Sequence, residues 1–175
     1  MSELRTILSG RISGADAKAL GQADLKEELF PLLFDPDKRT SDNAAWAMTH
    51  LPKTADAWLT ERQDILIDEA MRTISTSKRR LIMNLLDRTS FQQDSIRTDF
   101  LDFCFNIIFS EEPIGVKTLA IKLTYAQSVF YPELLEELNT ALQMMELEVL
   151  PPALKLIRNK ILLTVEKTPV QETGI

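Results

Sequence analysis

Enzyme chemistry needs several polar groups brought together with matched pKa values, and this chain offers few candidates. It has one histidine, His50, and one cysteine, Cys104. It contains no glycine-rich phosphate loop, no His-Glu-x-x-His pair, no paired cysteine and no serine beside an evident base. Two carboxylate pairs, Asp64 with Asp68 and Glu133 with Glu137, are spaced to share a helical face, as half of a divalent-cation site would be. Without histidine or further oxygen ligands nearby they read as solvated helix faces. His50 falls at the end of a predicted helix, the place of a solvated or capping histidine. Cys104 shares an apolar stripe with Phe100, Ile107 and Ile108 and reads as a small core hydrophobe. Trp46 stands in a column of core residues, whereas Trp58, near Asp56 and Glu61, is open to packing or to recognition. No catalytic residue, cofactor or metal is expected. The cluster that stands out is Lys78-Arg79-Arg80, cations at a predicted helix start, where the helix dipole disfavours positive charge.

Helices must position those cations. Of 175 residues, 45% are hydrophobic and 26% charged, the balance of an ordinary globular protein, and only 5 are glycine. Scarce glycine and few β-branched runs favour helix over sheet. No run approaches the roughly 18 apolar residues of a membrane span. The first residues, mixed apolar and charged, lack the long apolar stretch of a secretory signal, and one cysteine forms no internal disulfide, so a cytoplasmic location is expected.

Four segments align internally, starting at Asp42, Lys78, Gly115 and Pro152, which are 36, 37 and 37 residues apart. Two of their columns are apolar or small: Trp46, Ile82, Leu119 and Leu156, then Ala47, Met83, Ala120 and Ile157. Upstream of each lies a second helical pattern with its own column, Leu29, Ile65, Leu101 and Leu138. Each unit therefore predicts helix, turn, helix. First helices are expected over 23–34, 55–74, 95–110 and 132–146, and second helices over 41–51, 77–88, 114–129 and 152–165. Prolines at 36, 52, 113, 132, 151 and 152 fall where breaks are required. Residues 1–22 predict a capping helix or arm, 23–165 the repeat domain, and 166–175, without periodicity, a disordered tail.

At this point the chain resembles the HEAT and armadillo-like helical repeat family, including small bacterial HEAT-like proteins of unknown role. The likeness is clearest from Glu111 to Leu142, where Pro113 precedes Val116, Lys117 and Ala120, and the segment runs on to Tyr131-Pro132-Glu133-Leu134. It covers residues 23–165, more loosely in the first two units. The resemblance implies an all-α superhelix of about four helix pairs with an N-terminal capping helix. Its second helices would line a concave groove open to a partner.

Charge divides between the two layers. The first-helix windows hold 14 acids and 4 bases, the second-helix windows 9 bases and 2 acids. Candidate partner-contacting residues are Lys78, Arg79, Arg80, Lys117, Lys122, Lys155 and Arg158. Three arrangements remain open: the cations pair with the acidic layer, line a groove for an acidic peptide or protein surface, or meet nucleic-acid phosphates. A net charge of -6 weighs against the last, because phosphate attraction dominates non-specific nucleic-acid binding. The expected function is a non-enzymatic protein–protein interaction or scaffold module, with phosphate-backbone binding as the alternative and no membrane partner.

Overall fold

The computed structural model describes residues 2–145 and 147–167, and every regular element among them is helical. The chain divides into two compact units, Met1–Ser90 and Phe91–Ile175. Unit 1 contains α1 (Glu3–Ser9), α2 (Gly14–Gln22), α3 (Lys26–Leu32), α4 (Lys38–Thr49), α5 (Asp56–Thr60), α6 (Gln63–Arg72) and α7 (Thr76–Leu86). Unit 2 contains α8 (Thr98–Ile108), α9 (Ile114–Ser128), α10 (Pro132–Gln143) and α11 (Pro152–Lys167). The expected all-α class and alternation of first and second helices are both found.

In unit 1 the second helix α4 is central and packs against α1, α2, α3 and α7. Its inward positions are small: Ala44, Ala45 and Ala47 are fully buried beside Met48. Gly21 of α2 makes the closest approach, for a Cβ there would lie 2.3 Å from the Ala47 carbonyl oxygen and 2.7 Å from His50 Cβ. Side-chain oxygens start the helices: Ser13 and Asp16 form a capping box, Asp37 accepts from the Thr40 N–H, and Ser75 from the Lys78 N–H. Asp24, with φ of 56°, makes the left-handed turn between α2 and α3 that aspartate tolerates better than most residues. Pro31 lacks an N–H, and α3 stops at Leu32, short of the expected 34. Residues before 23 form two helices rather than a single cap, both packed on α4. Arg5 of α1 pairs with Asp35 at 2.6 Å, and this guanidinium contact holds the Asp35 carboxyl below the usual carboxylate range.

The helix expected over 55–74 is broken at Glu61-Arg62. The Arg62 N–H bonds the Leu59 carbonyl, and the Arg62 guanidinium takes the Trp58 carbonyl at 3.1 Å that an unbroken helix would have given to that N–H. The inward line nevertheless continues across it through Ala55, Leu59, Gln63, Leu66 and Ala70. Leu66 turns inward, and Ile65, placed by the repeat pattern with Leu29, Leu101 and Leu138, is 47% exposed.

In unit 2 the central helix is α9, packed against α8, α10 and α11. It is buried on several sides, with Val116, Leu119, Ala120, Ile121 and Leu123 inside together with Thr124, Gln127 and Ser128. The expected stripe on α8, Phe100, Cys104, Ile107 and Ile108, is buried, with Leu101 beside it. The inward line of α11 runs through Leu154, Ile157, Arg158 and Ile161, which turns Leu156 away from the core at 73% exposure. The column of Ala47, Met83, Ala120 and Ile157 is buried throughout. Of the expected tail, residues 168–175 lie outside the described residues, as does Glu146, while α11 continues to Lys167.

Gly21→Ala tests the α2–α4 contact. Alanine gains about 1 kcal/mol of helix propensity, but the clash with a backbone carbonyl should give a net loss of about 1–3 kcal/mol in urea unfolding. Gly14→Ala is the control, because its Cβ would meet Trp46 Cζ2 at an ordinary 3.7 Å and should leave stability unchanged or raised.

Candidate functional site

The seven candidate cations separate into structural and solvent-facing groups. Lys78 is buried, and its Nζ lies 2.5 Å from Glu69 Oε1 and donates to the Leu33 carbonyl at 2.5 Å. Glu69 also pairs with the Arg72 guanidinium. Lys78 is therefore an internal tie joining the ends of α3, α6 and α7, not a partner contact as the sequence predicts. Arg79 is half-buried and donates to the carbonyls of Ala70, at 3.1 Å, and Thr73, at 2.5 Å. Arg80 is exposed and has no ion pair or hydrogen bond among the described residues.

Two of the three apparently misplaced cations, Lys78 and Arg79, are explained by their neighbours. Only residues 73–75 link α6 to α7, so the start of α7 lies beside the end of α6. Arg79, unfavourable for its own dipole, satisfies the last carbonyls of the preceding helix. Arg158 does the same in unit 2. It is buried, with Nε donating to the Leu142 carbonyl at 2.6 Å near the end of α10 and Nη1 to Asn159 Oδ1 at 2.9 Å. The expectation that Arg158 meets a partner is corrected accordingly.

Unit 1 consumes most of its remaining second-helix charge. Lys38 pairs with Asp42 at 2.5 Å, and Arg88 with Asp56 at 2.6 Å. Unit 2 differs. Lys117 is half-exposed and Lys155 and Lys160 are exposed, and no ion pair among the described residues includes any of them. Lys122, also half-exposed, is engaged by a further interaction. Helices α8 and α10 of the same unit carry Asp99, Asp102, Glu133, Glu136 and Glu137 and no lysine or arginine. Arg97, at the N-cap of α8, lies 2.7 Å from Asp99 and keeps that carboxyl below its ordinary range.

The other candidates have structural settings. Trp58 is half-buried beneath Arg62, whose Cζ stands 3.9 Å from the ring centroid, and its Nε1 donates to Glu27 at 2.6 Å. Phe30 meets the same ring edge-on at 5.6 Å. His50 is the C-cap residue of α4 beside Gly21. Cys104 is buried, and burial pushes its thiol pKa up. No group of His, Cys, Asp or Glu that could hold a metal occurs among the described residues, and no described helix is long and apolar enough to cross a membrane.

Two open grooves lie on the first helices. The larger, about 580 Å³, is lined by Phe109 with Glu133, Glu136, Glu137, Thr140, Ala141 and Met144 of α10. The smaller, about 360 Å³, is lined by Phe34 with Ile65, Asp68, Glu69 and Arg72 of α6. Sequence reasoning missed both by treating the acidic first-helix faces as uniformly wet. The available signal was a phenylalanine just past the end of a short first helix, at 34 and again at 109.

Removing one partner of the buried pair tests its role: Lys78→Ala should cost about 3–5 kcal/mol in denaturant unfolding, while Arg80→Ala should stay within about 0.5 kcal/mol of wild type. Cys104 should resist a thiol-specific disulfide reagent in the native state and react at the unfolding rate once denaturant is added. Rapid native labelling would contradict its burial.

No curated protein and no solved structure matches the chain. HEAT repeats generally mediate protein–protein interaction or scaffolding. The HEAT repeat domain matches residues 4–165, nearly the whole chain with α1 included, and the protein belongs to that family.

Proposed function

We propose that this chain is a non-enzymatic protein–protein interaction module in which the cationic second-helix layer of unit 2 docks an acidic protein surface. The observation that carries this reading is the set Lys117, Lys155 and Lys160, which project from α9 and α11 without an ion-pair partner among the described residues. They remain so in a unit whose first helices α8 and α10 hold five carboxylates. Surface pairing would add at most about 1 kcal/mol per pair to the fold, so unpaired cations are cheap to keep. Facing an opposite charge on a partner, they raise the association rate and discriminate against basic surfaces. Arg80 adds an exposed cation in unit 1, and Lys122 lies along α9 between Lys117 and the helix end.

Nucleic-acid phosphates are the competing occupant of the same lysines. The net charge of -6 opposes them, and three or four lysines without an exposed aromatic platform on α9 or α11 give little to stack a base.

Lys117→Glu combined with Lys155→Glu should reduce recovery of co-purifying native partners at least tenfold without altering thermal unfolding. Unchanged recovery would place docking elsewhere. Retention of the wild type on duplex or single-stranded DNA at low ionic strength, released by salt and lost in the double variant, would replace the acidic protein surface with nucleic acid.

A further inference from the structure

The groove between the end of α8 and the outward face of α10 has no role in the reading above. Its apolar residues are Phe109, Ala141 and Met144, of which Phe109 is 60% and Met144 76% exposed. Beside them stand Glu133, Glu136 and Glu137, all exposed, with no ion pair or side-chain hydrogen bond among the described residues. The three carboxylates do not converge into a metal site. Spaced i, i+3 and i+4 along little more than one turn, they share one helical face beside the apolar residues.

The smaller groove of unit 1 shows how this chain treats the same place when it supplies the cation itself. The α6 lining positions 65, 68, 69 and 72 correspond to 137, 140, 141 and 144 of α10, each 72 positions later, and Phe34 has its counterpart in Phe109. In unit 1 the groove carboxylate Glu69 is answered internally by Arg72 and Lys78. In unit 2 alanine stands at the Glu69 place and methionine at the Arg72 place. The acids there lie at 133, 136 and 137, toward the start of the helix, and no internal cation reaches them. The lining positions and the phenylalanine correspond, the volume is larger, and the countercharge is missing.

We infer that the α8–α10 groove docks a cationic amphipathic helical segment of a partner protein. An aliphatic or aromatic side chain of that segment seats on Phe109, Ala141 and Met144. Lysines or arginines one turn away pair with Glu133, Glu136 and Glu137. A flat acidic face would attract cations without choosing among them, and the apolar floor adds the requirement for an adjacent hydrophobic anchor. This surface is opposite in sign to the second-helix lysines and does not depend on them.

The probe is a fluorescent synthetic helical peptide with leucines at i, i+3 and i+7 and lysines on the flanking positions, followed by anisotropy with the full chain. Wild type should bind it and ignore a version with glutamate in place of lysine. Glu136→Lys with Glu137→Lys should weaken binding at least tenfold, and Phe109→Ser with Met144→Ser by a similar factor, with melting temperatures held. Lys117→Glu with Lys155→Glu should leave binding of this peptide undiminished, which separates the groove from the second-helix face. Absence of binding overturns the inference, as does weakening by the charge variant alone, which means diffuse attraction. Concentration-dependent self-association abolished by the charge variant would assign the groove to a second copy and overturn it equally.

Discussion

Helices α4 and α9 each have to be buried from several sides, and the rest of each unit is arranged around that demand. A helix with one neighbour needs one apolar stripe, whereas a central helix needs small or uncharged residues nearly all the way round. In α4 the solution is alanine, with Gly21 of α2 drawn so close that a single methyl group collides with the Ala47 carbonyl. In α9 it includes uncharged polar residues, and Gln127 donates to its own helix at the Leu123 carbonyl, 3.0 Å away. With most positions of the central helices inside, charge is pushed to the outer first helices and to the few outward places left.

The second organising fact is the short link. Where residues 73–75 alone join α6 to α7, the beginning of one helix lies against the end of the other. Arg79 thereby serves the carbonyls that end α6, while Lys78 reaches the Glu69 carboxylate and the Leu33 carbonyl, and Arg158, across a longer link, serves Leu142. Part of the charge difference between layers is thus a folding device. The remainder, Arg80 in unit 1 and Lys117, Lys155 and Lys160 in unit 2, is what stays available at the surface.

Much of this architecture was legible. Helix pairs, their punctuation by proline, the α8 stripe and the column through Ala47, Met83, Ala120 and Ile157 follow from periodicity, which registers burial directly. The misplacements have local causes. Ile65 belongs to an apolar run, Ile65-Leu66-Ile67, in which Leu66 and Ile67 carry the inward line, and spacing to the other repeats does not tell these neighbours apart. Leu156 failed because the last helix includes Arg158 in its inward line, and an arginine there reads as surface until the carbonyl it serves is known. Charge counting found the correct asymmetry but could not separate cations aimed at helix ends from cations aimed at solvent, since that depends on link geometry. The grooves were hidden because each is made from a residue past the end of one helix and the outer face of the next.

The 72-position correspondence between the two grooves has a bearing on substitution tolerance. In unit 1 the groove residue Glu69 also holds Lys78, which holds the Leu33 carbonyl, so a change made for a new ligand disturbs three helices at once. In unit 2 the equivalent position is Ala141 and none of the surrounding glutamates supports the interior. Substitutions along the α10 groove can therefore change its surface chemistry without loosening the fold, while at α6 the two are locked together. The same slot is tied to the interior in one unit and independent of it in the other.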